Sequence, residues 1–168
     1  MPATIDASIT GGGVVSTGTR RFPTRDELRV WRDFLETGEL LRGEMAARLQ
    51  QSSGLSPGDY AVLLALSEAA GQRLRSSELA ATIGWERSRL SHHLGRMEKR
   101  GLIRREDCAT DNRGAEVVLT PDGLSGFHEA TRPHLRDIRE IFVDALTPQQ
   151  LEAAGEIAAA LRAHLVRG

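Results

Sequence analysis

The chain has 168 residues, is 40% hydrophobic and 27% charged, and carries a net charge of −1 with a single cysteine. One cysteine excludes an internal disulfide, and no apolar run approaches the roughly 20 residues that span a bilayer. No charged-then-apolar leader opens the sequence, so the expected product is one cytoplasmic, membrane-free domain with a modest core.

In chain order, residues 1–22 read as a disordered tail of small polar residues around three consecutive glycines. A phosphate-cradling loop would need a lysine beside those glycines and a helix after them, and neither is present. Thr24 and Glu27 form a capping box that opens a long helix through about Gln50. Its apolar face is supplied by Leu28, Trp31, Phe34 or Leu35, Leu41, Met45 and Leu49. Ser56-Pro57 opens a second helix with core residues Tyr60, Leu63, Leu64 and Leu66.

Two short helices follow. Ser76 or Ser77 is expected to cap the first, on which Leu79 and Ile83 share a face. Gly84 ends it, and Trp85 fills the angle between it and the next. The second starts near Glu86 or Arg87, with Leu90, Leu94 and Met97 as its buried stripe. Arg87, Ser88, Arg89, Ser91, His92 and Arg96 occupy the opposite face. An arginine fork there can hold guanine or clamp a phosphate, and the serines let the helix approach a duplex closely. An ordinary solvated helix face is the competing reading. Charge placement favours the first: residues 73–113 hold ten Arg or Lys against six Asp or Glu, a net of +4, which leaves −5 on the rest of the chain.

Leu102–Arg105 and Val117–Leu119 read as two strands of a ribbon, joined by a polar segment with turn formers Asp111, Asn112 and Gly114. Arg113 stands at its tip, where a minor groove attracts arginine, and Asp111 is placed to pair with it. Thr120-Pro121 opens a fifth helix that Pro133 should kink or interrupt, and Thr147-Pro148 opens the last. The expected fold is mainly α, six helices with one small β-hairpin wing: a winged helix-turn-helix over about 55–120, flanked by helices at 24–50 and 121–166. Ile138, Ile141, Phe142, Leu146, Leu151, Ile157, Leu161 and Leu165 are too many apolar residues for so thin a lobe. A homodimer built on the first and last helices would bury them and set two recognition helices about 34–36 Å apart on DNA.

The run from Glu78 to Gly123 resembles the winged helix-turn-helix of MarR-family transcriptional regulators, in particular a subgroup with tryptophan and basic residues opening the recognition helix. The resemblance extends more weakly to residues 55–69 and 146–161. It implies an obligate homodimer that binds double-stranded DNA at a pseudo-palindromic operator, as a repressor or less often an activator. It also implies release by a small phenolic or other lipophilic ligand, or by oxidation. Carried over residue by residue, Ser88, Arg89, Ser91 and His92 face bases or phosphates, Arg113 is the wing-tip arginine and Asp111 the acid that positions it. Two departures stand out: Glu86 replaces the usual Ser or Thr cap, and His93 replaces an apolar residue.

Other chemistry finds little support. No histidine has an acid or cysteine at metal-ligand spacing. No nucleophile has a base and an orienting group, so neither an enzyme nor a cofactor is expected. Cys108 sits among Arg104, Arg105, Glu106 and Asp107, as a redox-sensing thiol or an incidental exposed one. Oxidation-sensing members of the resembled family carry their cysteine near the first helix, which here has none. Trp31, Met45, Tyr60 and Leu63 either line a ligand pocket or form ordinary core, and His134 is placed to face such a cleft. An interaction module whose basic helix docks an acidic protein remains the alternative to a DNA-binding regulator.

Overall fold

The computed structural model describes residues 22–107 and 115–166. Cys108, Asp111 and Arg113, and almost all of the expected tail, lie outside the described residues. The chain divides into two compact units, Met1–Thr37 and Gly38–Gly168. Helix α1 (Arg25–Ser53) begins in the first and ends in the second. In the first unit Thr24 and Glu27 form the expected capping box, at 3.2 Å and 2.6 Å, and Leu28, Trp31, Phe34 and Leu35 are exposed.

The second unit contains the core. Helix α2 (Pro57–Glu68) is capped by Ser56 and Asp59, with proline in its first turn. It buries Val62, Leu63, Ala65 and Leu66. A short 3₁₀ turn leads to strand β1 (Arg73–Arg75), which runs into helix α3 (Ser76–Thr82). Gly84, at φ +66°, closes that helix in a conformation that disfavours any side chain, and the Trp85 amide donates back to the Ala80 carbonyl at 2.9 Å. Helix α4 (Arg87–Lys99) follows, then β2 (Ile103–Asp107) and β3 (Ala115–Leu119). Helix α5 (Pro121–Ile138) passes into a π-helical turn over Arg139–Val143, and α6 (Pro148–Leu165) ends the described chain.

Three expectations are corrected. The sheet has three strands in the order β1-β3-β2, all antiparallel, rather than a lone hairpin. Three residues with two arginines give β1 too little alternation to be read from sequence, yet its pairing of Leu74 with Val117 fixes the start of α3 against the wing. Ser76 does not cap α3: Arg75 holds that position, its amide donating to the Glu78 carboxylate at 3.2 Å, while the Ser76 hydroxyl donates to the Ala115 carbonyl at 2.9 Å. Finally, of the two alternatives expected at Pro133, interruption is overturned: α5 continues through it to Ile138.

The core lies between α2, α3, α4, the sheet and α5. Leu63, Leu66, Leu79, Leu90, Leu94, Met97, Ile103 and Val117 have almost no exposed surface. Each such side chain contributes about 1.5–3 kcal/mol by leaving water. Their effect is to hold α4 by one face only.

Candidate nucleic-acid interface

Helix α4 sorts its side chains as an amphipathic helix should. Leu90, His93, Leu94 and Met97 are buried, whereas Arg87, Ser88, Arg89, Ser91, His92 and Arg96 are all exposed. The structure therefore brings the six helix residues picked out from the sequence onto one accessible face. Glu86 occupies the N-cap position with no side-chain cap bond. Its carboxylate nonetheless stands at the positive end of the helix dipole.

Below that face is a polar cluster that sequence reasoning registered only as a departure at His93. The Asp59 carboxylate is 2% exposed. One oxygen accepts from the Ser56 amide at 2.9 Å and from Arg100 Nη1 at 2.7 Å. The other lies 3.0 Å from His93 Nε2, an electrostatic contact off the line of a straight hydrogen bond. Arg96 Nη2 stands 2.9 Å from His93 Nδ1. An arginine has only donors, so Nδ1 must be the acceptor and the ring proton sits on Nε2, facing Asp59. Burial, the largest influence, pushes the His93 pKa down; Asp59 opposes it and Arg96 adds to it. Burial also tends to raise the Asp59 pKa, but hydrogen bonds from Ser56 and Arg100 outweigh it and hold the carboxyl below its ordinary value.

Trp85 connects this cluster to the surface. Its ring meets His93 edge-on, 5.1 Å between centroids at 84°. The Arg89 guanidinium carbon lies 4.1 Å from the indole centroid, a cation–π distance. The close approach requires a glycine on α2: a methyl at Gly58 would lie 2.7 Å from Trp85 Cη2 and 3.0 Å from His93 Cε1. The signal available in the sequence was a histidine on the same face as Leu90, Leu94 and Met97, since a buried polar group needs a partner. Nothing pointed to Asp59 as that partner, 34 residues earlier and already engaged in the α2 capping box.

A clamp fixes the wing to the other end of α4. Arg105 on β2 donates through Nε and Nη2 to Glu98 Oε2 at 2.9 Å and 2.6 Å, and its amide to Oε1 at 2.9 Å. The Arg105 hydrogen bonds hold the Glu98 pKa below its usual value. Arg104 pairs with Glu106 at 2.6 Å.

Four of the five ligand-pocket candidates lie in the second unit. Leu63 is fully buried in the core, Met45 is half-buried, and Tyr60 and His134 meet as rings 4.5 Å apart. Trp31 belongs to the first unit, where it is exposed. A cleft beside α1 and α5 is lined instead by Arg48, Gln51, Ser52, Pro133, Arg136 and Asp137. Among the described residues no helix is long and apolar enough to cross a membrane.

A helix-turn-helix with an exposed basic second helix, followed by a sheet with a wing, defines the class of winged-helix regulators. Residues 53–114 match the MarR family. The crystal structure of AbsC, a MarR family transcriptional regulator from Streptomyces coelicolor, superposes with a TM-score of 0.80 at 36% identity, over 89% of this chain and all of that one. Sco3205 from the same organism, a MarR family regulator solved in complex with DNA, gives 0.79 at 37% identity over 85% and 90%. A relative from Thauera aromatica, a regulatory protein for the hcr operon, is 32% identical over 91 residues, a match spanning 51% of this chain and about half (54%) of that one. The chain belongs to the MarR family and is a transcriptional regulator of that family.

Proposed function

We propose that the protein is a homodimeric repressor that binds a pseudo-palindromic operator, with α4 in the major groove and the wing reaching the flanking minor groove. The observation that carries this reading is the exposure of Arg87, Ser88, Arg89, Ser91, His92 and Arg96 along one face of a helix whose other face is locked into the core. Arg89 and Arg96 read bases or clamp phosphates, the serines allow close approach, and Arg113, positioned by Asp111, enters the minor groove. Sco3205, of known DNA complex, supports the DNA-binding reading. The exposed apolar residues of α6 and of the start of α1 support the dimer. A small lipophilic or phenolic effector that releases DNA is the accompanying proposal, with Tyr60 and His134, rings in contact at a tilt of 55°, as the place where it is sought.

The test is fluorescence anisotropy with duplex from upstream of the protein's own gene, titrated against excess nonspecific DNA. Tight, salt-sensitive binding that survives competition is expected. Arg89→Ala should change base preference and weaken operator binding by about 1–3 kcal/mol, while Arg113→Ala lowers affinity more evenly across sequences. Wild-type affinity retained by both variants at moderate salt would overturn the assignment of contacts. No binding to any duplex at low salt would leave a protein-interaction module instead.

A further inference from the structure

We propose that His93 is a positioning residue for sequence recognition: its neutral ring holds Arg96 through Nδ1 and braces the Trp85 plane on which Arg89 lies. The inference rests on the reading of α4 as the DNA-contacting helix. It adds a residue that touches no DNA and that neither the family match nor the neighbouring structures assign.

The geometry carries the argument. Two exposed arginines of α4 are each engaged by one contacting pair, buried His93 and half-buried Trp85: Arg96 at 2.9 Å from His93 Nδ1 and Arg89 at 4.1 Å from the Trp85 centroid. His93 and Trp85 meet edge-on, and both are wedged against Gly58 on α2, where not even a methyl fits. An unrestrained arginine loses rotamer freedom when it docks on a base. Here part of that loss has already occurred in the fold, so contacts that demand a fixed guanidinium geometry are favoured over loose phosphate contacts. Discrimination between sequences is therefore the property His93 serves, more than affinity for DNA as such.

The ring must be neutral to do this. The groups facing it are Asp59 from α2, Arg96 from α4, Arg100 at that helix's C-cap, and the Trp85 edge, with Arg89 also against the indole. A proton added at Nδ1 removes the acceptor that Arg96 uses and puts a positive charge beside it. Burial keeps the ring neutral at neutral pH by moving its pKa below the ordinary value.

The experiment measures the ratio of affinity for a duplex enriched by the wild-type protein from a random-sequence library to affinity for a scrambled duplex. Wild type, Arg89→Ala, Arg96→Ala, His93→Phe and His93→Asn are compared between about pH 5 and pH 8. Asparagine keeps an acceptor near the Nδ1 position and does not titrate; phenylalanine keeps the ring and loses the acceptor. Near neutral pH, His93→Phe should lower the ratio about tenfold with scrambled-duplex affinity unchanged, and His93→Asn should stay within about threefold of wild type. The wild-type ratio should fall as pH drops through the ring's pKa, while that of His93→Asn stays level. His92 and the other histidines are common to both proteins, so their titration cancels in the comparison. If His93→Phe does not fold, His93→Leu, which also lacks the acceptor, takes its place. Equal ratios in all His93 proteins near neutral pH overturn the positioning role. If the arginine variants also leave the ratio unchanged, or wild type enriches no sequence, the underlying reading of α4 has failed as well.

Discussion

Helices α4 and α6 use their apolar residues in opposite ways. Helix α4 buries four side chains, one of them a histidine, and presents a face of arginines and serines. Helix α6 buries none: Leu151, Ile157, Leu161 and Leu165 are between 36% and 77% exposed. Helix α4 is the more polar of the two sequences, yet it is the one that buries its apolar residues. The difference is that the partners of α4 lie within the same chain, in α2, α3 and the sheet, while α6 lacks a comparable surface within its unit. An apolar face left in water is a binding surface in waiting, and a second copy of the chain is the partner the proposed function assigns to it.

The largest expected effect tests the α6 side of this contrast. Ile157→Asp combined with Leu161→Asp should leave the core lobe folded, because neither residue is buried there. It should abolish the dimer in sedimentation and weaken operator binding at least 100-fold, since two half-sites are then no longer held together. A folded double variant that remains dimeric would remove α6 from the interface.

Leu90→Ala tests the other side. Leu90 is 1% exposed, and truncation in such a position costs about 2–5 kcal/mol by lost transfer energy and the cavity left behind. Urea unfolding should show that loss, whereas Leu165→Ala, at a 77% exposed position of α6, should change lobe stability in the dimer-disrupted background by less than about 0.5 kcal/mol. Similar costs at the two positions would erase the contrast.

Legibility in the sequence follows the same division. The α4 stripe, the glycine that ends α3, the Pro57 and Pro148 helix starts and the six exposed residues of α4 were readable because they depend on local periodicity and capping. Strand β1 was not, because three residues carry no pattern and its pairing with β3 is set more than 40 residues away. The Asp59–His93–Arg100 cluster was invisible for a related reason. His93 signalled an unusual buried polar group, but its partner is chosen by the packing of α2 on α4. Pro133 illustrates the converse, a local rule overridden by context: α5 runs through it between buried Ala130 and the turn at Arg139.

The cluster gives the next prediction in size. Gly58→Ala forces Trp85 or His93 to move by several tenths of an ångström, and overpacking of that kind costs about 1–3 kcal/mol. A thermal unfolding midpoint equal to wild type would mean that the Trp85–His93 wedge is loose. The same cluster predicts acid sensitivity. The pKa of His93 is lowered in the fold, chiefly by burial, and so is that of His134. The unfolded chain therefore binds their protons first, and stability declines as pH falls below about 6.5 toward the folded-state values. Asp59, whose folded pKa is also lowered, adds stability above its unfolded pKa that is lost as pH falls further, through its folded value. Urea midpoints across this range should show a shallower first decline in His93→Asn than in wild type.

The smallest effect concerns one motif placed in both regions. Ser56 caps α2 and Thr147 caps α6 by the same reciprocal geometry, a hydroxyl accepting from the third helical amide at 3.1 Å and 3.2 Å, and a side chain returning to the cap amide at 2.9 Å in each. Around Ser56 the box is half-buried and its acid also holds Arg100 and faces His93. Around Thr147 it is exposed, and water can replace the lost bond. Ser56→Ala should therefore fall at the upper end of the range for caps, near 2 kcal/mol, and Thr147→Ala near its lower end, about 0.5 kcal/mol. Chemical denaturation of both variants in the dimer-disrupted background makes the comparison direct. Equal losses would mean that burial adds nothing to a cap at this site, and that Asp59 keeps its contacts with Arg100 and His93 without the Ser56 hydroxyl.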